Sequence, residues 1–266
     1  MEAPPYLDNI RAADVVWHAT DPMWDVVEPN RSPLDLSSWS GIVENSPADH
    51  VVTVRSGTRL GDLQVALAET RQWLPHGGSP FDHPETTLAQ AIGFAMPHRL
   101  EGKFGSWRDW ILGMTVLLGD GVLAKSGSKV VKSVAGYDAH KFFVGARGTF
   151  GVIVDVTLRT WPLPDEPVTT EPRSTEGERP WVQRTLATDF GRAIDSAGDA
   201  LIAMDEPTST LWARTDRGLG RFPHDWAVRG CPGEVELDSG ELPILRRAKE
   251  LLDPPGKFNP GALGAF

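Results

Sequence analysis

Three glycines spaced three residues apart, Gly145, Gly148 and Gly151, constrain the fold of this chain more than any other feature. A dinucleotide-binding turn has the spacing G-x-G-x-x-G and leads from a strand into a helix. Here the spacing is G-x-x-G-x-x-G, and the residues that follow, VIVDVTLRT, alternate between apolar and polar side chains. Alternation is the period of a strand. The pattern therefore excludes a Rossmann-type site and predicts a strand that begins near Val152.

Two further segments predict strand and helix units on the N-terminal side. Residues 51–55 read as a short strand, followed by a turn and a helix whose buried face carries Leu60, Leu63 and Leu67. A second helix is predicted to begin at Thr86 or Thr87 as its N-cap and to end before Pro97. One face of that helix is predicted to carry Leu88, Ala91, Ile92 and Ala95.

The middle and the end of the chain contribute a hairpin and one more helix. Residues 110–126 hold two apolar runs around the turn signal Asp120-Gly121, which predicts an antiparallel hairpin. The C-terminal segment predicts an amphipathic helix through Leu245, Ala248 and Leu252, ended by residues 254–256. The region after Pro164 is richer in Pro, Glu and Thr, so we place a domain boundary there, between residues 1–164 and 165–266.

Composition excludes several classes of function. A net charge of -10 and a pI near 5.2 argue against nucleic-acid binding, which needs a basic face. The sequence lacks an apolar run near the roughly 20 residues of a membrane span, and its N-terminus does not read as a secretory signal. The single cysteine, Cys231, cannot hold an iron–sulfur cluster or a structural zinc. We expect a cytoplasmic protein without a metal centre of its own.

The motifs GSWRDWILGMTVLLGDG, KVVKSVAGYDAHKFFVGARGTFGVIVDVTLR and DPPGKFNPG, in this order, resemble the flavin-linked oxidases of the vanillyl-alcohol oxidase and p-cresol methylhydroxylase superfamily. The strongest likeness is to the smaller flavoprotein-like component of the bacterial glycolate oxidases, and it covers roughly residues 34–164 and the last twenty or so. The resemblance implies an α+β fold: a two-subdomain FAD-binding domain of the p-cresol methylhydroxylase type over residues 1–164, then a shortened cap-like region and a C-terminal helix.

The resemblance also implies a cofactor, FAD, and a set of residues beside it. The helix start near the pyrophosphate and the loop before the hairpin would contribute nine of them, and a third loop together with the glycine-rich strand start would contribute seven. In chain order the set is Thr86, Thr87, Leu88, Ala89, Gln90, Gly105, Ser106, Arg108, Asp109, Gly136, Tyr137, Asp138, Gly148, Gly151, Val152 and Ile153. Phosphate needs local donors in so acidic a chain: amides at a helix start, hydroxyls, and glycines that let backbone approach.

The implied activity is the oxidation of a small 2-hydroxy acid such as glycolate, with electrons passed to a partner. The implied partners are a paralogous flavoprotein subunit and an iron–sulfur subunit, and no catalytic base is identified. Two departures keep an alternative open. No glycine occurs between Asp25 and Ser40, where the family has a glycine-rich turn, and Ala89-Gln90 replaces two adjacent glycines. The alternative is a non-catalytic structural subunit that has lost tight FAD binding; a peptidoglycan-precursor reductase fits the motifs less well.

Histidine and tryptophan groups each allow two interpretations. His76, His83 and His98 lack the spacing of a zinc signature, so we expect surface or hydrogen-bonded histidines. Trp107 and Trp110 would stack on a flavin or pack in a core, and we expect packing.

Two charged groups are also ambiguous. Tyr137, Asp138 and His140 would do acid–base chemistry, or Asp138 would cap a short helix, which we expect. Arg246, Arg247 and Lys249 would steer an anionic substrate or form a solvated last helical turn, and we expect the solvated turn.

Overall fold

An antiparallel sheet of five strands lies at the centre of the region between residues 42 and 159. The structure is a computed structural model, and it describes residues 4, 7–12, 34–76, 85–96, 98, 100–128, 138–166, 180–205, 209–214, 227–229 and 240–260. The strands are β1 (Ile42–Ser46), β2 (Val51–Arg55), β4 (Ile111–Leu117), β5 (Leu123–Gly127) and β6 (Val152–Arg159), in the order β1-β2-β6-β4-β5. A short pair, β3 (Gln72–Trp73) and β7 (Trp161–Pro162), extends the structure beside it.

One side of this sheet carries the main hydrophobic core. Val54, Val156 and Met114 occupy neighbouring strands and are buried, because alternate residues of each strand point to the same face. Helix α2 (Leu60–Ala68) packs here with Leu60, Leu63 and Leu67, as its apolar spacing predicts. Three short helices complete this layer: α3 (Leu88–Gly93), α4 (Glu101–Phe104) and α5 (Trp107–Trp110).

A smaller core lies on the other side. It joins the N-terminal helix α1 (Leu7–Ala12) to Leu36 and Trp39, to Val152 and Val154 of β6, and to Phe258 near the C-terminus. Residues separated by more than 200 positions therefore share one apolar cluster.

A second sheet lies between residues 180 and 229. Its strands β8 (Pro180–Arg184), β9 (Leu201–Asp205), β10 (Thr210–Arg214) and β11 (Ala227–Arg229) are antiparallel in the order β11-β8-β10-β9. Helix α6 (Ala187–Ala197) buries Phe190, Ala193 and Ala197 in a cluster with Leu211 and Ala213. Helix α7 (Glu241–Leu252) then returns to the first region, where Leu245, Ala248 and Leu252 pack on its core.

The structure confirms the strand at 51–55, the hairpin and the C-terminal helix, and it corrects two details. The second predicted helix ends at Gly93, so Ala95 does not continue its apolar face: Ala95 has a left-handed φ of 41°, and its N–H and that of Met96 return to the carbonyls of Ile92 and Ala91. This is the Schellman termination, here with alanine in the usual glycine position. Trp110 also belongs to the turn of α5 and not to the hairpin strand.

The α+β class is present, with antiparallel sheets throughout the described residues. Within the described part of residues 1–164 there is one five-stranded sheet, and the second subdomain implied by the resemblance stays a prediction, as does the boundary near Pro164. No helix in the described ranges is long and apolar enough to cross a membrane.

Candidate functional site

The glycine loop, residues 145–151, joins a 3₁₀ helix at Ala139–Phe143 to the start of β6. Gly145 and Gly148 have left-handed φ angles of 77° and 71°, so they allow turns that side chains resist. Gly151 differs: a Cβ there would lie 2.7 Å from Val116 Cγ1 and 2.9 Å from the Leu117 carbonyl oxygen. The three glycines therefore serve two turns and one close packing contact.

The loop is fastened to the end of α3 by its backbone. The Gly145 N–H donates to the Ile92 carbonyl at 2.9 Å, and the Arg147 N–H donates to the Gly93 carbonyl at 2.8 Å. Arg147 itself has a left-handed φ of 49°. The last turn of α3 thus connects two predicted cofactor segments by hydrogen bonds: residues 86–90, and the glycine loop with the strand start at Gly148, Gly151, Val152 and Ile153.

The start of α3 is held by a capping box. Thr87 Oγ1 accepts from the Gln90 N–H at 3.3 Å, and the Gln90 carboxamide oxygen accepts from the Thr87 N–H at 2.8 Å. The Leu88 and Ala89 N–H groups donate to the carbonyls of Thr58 and Ser56. The N–H groups at the start of this six-residue helix therefore already donate to acceptors within the chain, and they are not available to a phosphate.

Three hydroxyl groups in the glycine loop and around the start of α3 remain available. The side chains of Ser56, Thr86 and Thr149 are buried, and among the described residues no hydrogen-bond partner reaches Ser56 Oγ, Thr86 Oγ1 or Thr149 Oγ1. A buried hydroxyl without a partner costs free energy, so it marks a position where a ligand would satisfy it. The sequence predicts Thr86 beside the cofactor; it does not indicate Ser56, because a serine after a strand reads as an ordinary turn residue.

The loop around Gly105 is also locally capped. The Asp109 carboxylate accepts from the Ser106 N–H and hydroxyl, both at 2.8 Å. Gly105 has a left-handed φ of 80°, and its carbonyl lies 3.0 Å from His98 Nε2. Arg108 is exposed beside them. The N–H and hydroxyl donors of Ser106 are thus both hydrogen-bonded to the Asp109 carboxylate.

The other predicted site residues divide into three groups. Gly136 and Tyr137 lie outside the described residues. Asp138 precedes the 3₁₀ helix but makes no side-chain cap hydrogen bond, so the expected cap is wrong: its carboxylate pairs with Lys141 Nζ at 2.9 Å, which lowers its pKa. Val152 and Ile153 are buried in strand β6, where their side chains fill the two cores. A cofactor role for all of these residues stays a prediction.

The tryptophans and two of the histidines form one packed group. Trp107 and Trp110 are buried, and their indole N–H groups donate to the carbonyls of Met96 and Phe104, both at 2.9 Å, which confirms the packing role. His98 packs on Trp110 with ring centroids 4.7 Å apart, and His76 packs on Trp107 at 5.2 Å. Desolvation lowers the pKa of His76 to about 4. His83 lies outside the described residues.

Acid–base candidates are few in the described ranges. His140 is buried, with Nδ1 3.2 Å from Ser126 Oγ and Nε2 3.2 Å from the Ile111 carbonyl, so it ties the 3₁₀ helix to the hairpin; burial lowers its pKa. Sequence reasoning missed Asp155, a buried carboxylate on β6 whose pKa is raised by burial and which accepts from Trp39 Nε1 at 3.2 Å. No group of three potential metal ligands occurs among the described residues.

The structure contradicts the expectation that Lys249 is solvated. Arg246 and Arg247 are exposed as expected, and Arg247 pairs with Glu250 at 2.9 Å. Lys249 is instead buried, and it contacts three oxygen atoms inside the protein. The i, i+4 spacing to Asp253 is visible in the sequence, but the burial of the pair depends on residues about 100 positions away.

Residues 22–127 match the family model described as an FAD binding domain. With this match the chain resembles such a domain over less than half of its 266 residues. It is similar to the glycolate oxidase subunit GlcE of Escherichia coli, with 35% identity over 132 residues, which is 49% of this chain and 37% of that protein. It is also similar to the mitochondrial D-lactate dehydrogenase [cytochrome] of Arabidopsis thaliana, with 38% identity over 51% of this chain and 23% of that protein.

These alignments span well under half the length of either relative. Among solved structures, alkyldihydroxyacetonephosphate synthase gives a TM-score of 0.44 at 12% identity, over 62% of this chain and 27% of that one. A likeness at that level supports no functional conclusion. For the FAD expected of the family, the described residues fit in part: the hydroxyls of Ser56 and Thr86 are suited to a ligand, whereas the helix-start amides are already used.

Proposed function

We propose that this chain is a subunit of an FAD-linked oxidoreductase that oxidises a small 2-hydroxy acid. The observation that carries the proposal is the match of residues 22–127 to an FAD-binding family, together with the similarity to relatives named for glycolate and D-lactate, which are both 2-hydroxy acids. FAD, when bound, supplies the acceptor for a hydride equivalent from the carbon that bears the hydroxyl. The chain's part is to bind and orient that cofactor.

Within this proposal, Thr86 is the residue with the clearest role. Its buried hydroxyl has no hydrogen-bond partner in the described part of the chain, whereas the neighbouring Thr87 hydroxyl is used in the capping box. Thr86 Oγ1 would donate to an acceptor on the cofactor, and Thr87 would keep the helix start in place. Ser56 would contribute a second hydroxyl from the loop that pairs with the same segment.

Electrons would leave to a partner protein. The single cysteine cannot bind an iron–sulfur cluster, and the similar Escherichia coli protein is named as one subunit of glycolate oxidase. A paralogous flavoprotein subunit, an iron–sulfur subunit and a cytoplasmic location complete the proposal.

A second candidate is a non-catalytic subunit that stabilises a flavin-bearing partner. The observation that favours it is the internal use of donors: the Leu88, Ala89 and Gln90 N–H groups all donate to acceptors of this chain. The sequence also lacks a glycine between Asp25 and Ser40. A chain with these features would hold its partners through surface contacts and not through a cofactor.

The deciding experiment is FAD titration of the full chain, followed by desalting and a visible absorption spectrum. Under the first proposal, the flavin spectrum is retained, and Thr86→Val weakens FAD affinity about tenfold, the loss of one hydrogen bond to a charged group. Thr87→Val makes the same chemical change one residue away and compares loss of the capping hydroxyl with loss of the hydroxyl that would contact FAD. A wild-type chain that retains no FAD contradicts the first proposal, and co-expression with flavoprotein and iron–sulfur subunits then tests the second by co-purification.

A further inference from the structure

The last turn of α7 and the residues after it form a connected set of polar contacts, here called the C-terminal clasp (residues 249–259). Lys249 Nζ lies 2.7 Å from Asp253 Oδ2, 2.6 Å from the Thr149 carbonyl oxygen and 2.6 Å from the Phe258 carbonyl oxygen. An ammonium group has three donors, so each has an acceptor. The side chain of Asp253 is fully buried and that of Lys249 is 11% exposed, so the pair is shielded from water.

Asp253 connects the two ends of the segment 253–258. Its carboxylate accepts from the Phe258 N–H at 2.8 Å, so the segment 253–258 is folded back against the end of the helix. The Gly119 N–H, in the turn between β4 and β5, donates to the Leu252 carbonyl at 2.9 Å. A Cβ at Gly119 would collide with the Asp253 carboxylate. The hairpin turn therefore fits against the clasp only when position 119 carries no side chain.

The clasp reaches the glycine loop at two carbonyls. Lys249 donates to the carbonyl of Thr149, and Asn259 Nδ2 donates to the carbonyl of Arg147 at 2.7 Å. From the opposite side, the Arg147 and Gly145 N–H groups donate to the end of α3. The loop thus lies between two supports. One is the end of α3, the helix that begins in the predicted cofactor segment 86–90, and the other is the clasp, whose contacts are 100 and 112 residues away in sequence.

We propose that the C-terminal clasp sets the conformation of the glycine loop and that Lys249 is its central positioning residue. The loop contains left-handed residues at Gly145, Arg147 and Gly148, a conformation that an unsupported chain does not maintain at Arg147. Lys249 and Asn259 fix the carbonyls that flank this turn. Through the contacts with Ile92 and Gly93, the same support extends to α3.

The functional part of this inference rests on the proposed function. If residues 86–90 and the strand start around Gly148 and Gly151 hold FAD, Lys249 contributes to cofactor affinity without touching the cofactor. The sequence pattern alone predicts a solvated Lys249, so this coupling comes from the structure. The mechanical part, support of the loop by the clasp, does not depend on FAD.

The test is hydrogen–deuterium exchange of the full chain, compared among wild type, Lys249→Met and Asn259→Gly. Methionine keeps the length of the lysine stem without its charge, and glycine accepts the φ of 37° at Asn259 while removing only the side chain. Arg247→Met, on the exposed face of the same helix, is the matched control.

We expect amides of residues 145–151 to exchange at least about tenfold faster in Lys249→Met and several-fold faster in Asn259→Gly. In Asn259→Gly, β2 and β4 should change much less, because opening is local. In Lys249→Met, the sheet amides also report the loss of global stability that follows when the Asp253 carboxylate is buried without its cation. Arg247→Met leaves the loop unchanged. Loop exchange that rises in Asn259→Gly only in step with the sheet overturns the proposal. If Lys249→Met does not fold, Asn259→Gly decides: an unchanged loop in that variant overturns the proposal too.

A second readout separates this inference from the proposed function. Where the wild-type chain binds FAD, both variants weaken FAD affinity, about tenfold for Lys249→Met, while Arg247→Met does not. Where the wild-type chain binds no FAD, the proposed function fails, and the exchange result still confirms or overturns the clasp.

Discussion

The two ends of α3 adjoin segments that are held in different ways: the helix start, and the glycine loop bound to the last turn. The start of α3 has a local element, the capping box of Thr87 and Gln90 three residues apart, beside backbone hydrogen bonds to residues 56–60. The glycine loop is held by Lys249 and Asn259, which are 100 and 112 residues from the carbonyls that they contact. Local support is encoded in a short motif and survives changes elsewhere. Remote support makes one loop depend on the integrity of the whole domain.

The largest effect should come from breaking the remote support at its charge. Lys249→Met leaves the Asp253 carboxylate buried without its cation, and we expect a loss of about 3–5 kcal/mol in the free energy of unfolding. The double variant Lys249→Met/Asp253→Asn keeps an acceptor for the Phe258 N–H but removes the charge. We expect it to recover about 2 kcal/mol. Urea denaturation measures both values, and equal losses in the two variants would show that the charge pair is not the cause.

Helix α5 has both kinds of support. The cap by Ser106 and Asp109 is local, whereas the rings of His76 and His98 pack on Trp107 and Trp110 from other parts of the chain. The pKa of His76 is lowered from 6.5 to about 4, so between these values the unfolded chain binds more protons than the folded one. Stability therefore rises with pH through this window and is lost on acidification through it. At about 1.4 kcal/mol per pKa unit, the loss reaches up to about 3 kcal/mol.

The measurement is urea denaturation at pH values from 4 to 7, with His76→Phe as the control. Phenylalanine keeps a ring against Trp107 and cannot be protonated, so the variant should lose most of this pH dependence. The same slope in wild type and variant would assign the acid sensitivity to other groups.

A smaller effect should follow from a single added methyl group at the hairpin turn. Gly119→Ala places a Cβ against the Asp253 carboxylate, and we expect the clasp to shift at a cost of about 1–3 kcal/mol. Gly61→Ala is the control: no atom lies within 4 Å of its Cβ position in helix α2, so alanine should stabilise by about 0.5–1 kcal/mol. Thermal unfolding of the two variants should move in opposite directions, and a shift of Gly119→Ala in the same direction as the control would mean that the turn tolerates a side chain.

The two kinds of support explain what the sequence could predict. The capping threonine, the strand after Gly151 and the hairpin around Asp120-Gly121 depend on neighbours within a few residues, and each is present. The burial of Lys249 depends on Thr149 and Phe258, which no local pattern connects to it. The local pattern permits a cap at Asp138, yet Lys141 offers a charged partner that competes successfully.

The smallest expected effect tests the local side of the comparison. Thr87→Val removes the capping hydroxyl of α3, and we expect a loss of about 1 kcal/mol, the usual value of an N-cap. Thr86→Val removes a buried hydroxyl that has no hydrogen-bond partner in the described residues, so stability should be unchanged or slightly higher. The two variants make the same chemical change one residue apart, and urea denaturation without added FAD compares them directly. Because the capping box is local, Thr87→Val should raise amide exchange at the start of α3 without changing residues 145–151. Faster exchange in the glycine loop of Thr87→Val would show that the two supports are coupled and that the local cap carries part of what the clasp is proposed to hold.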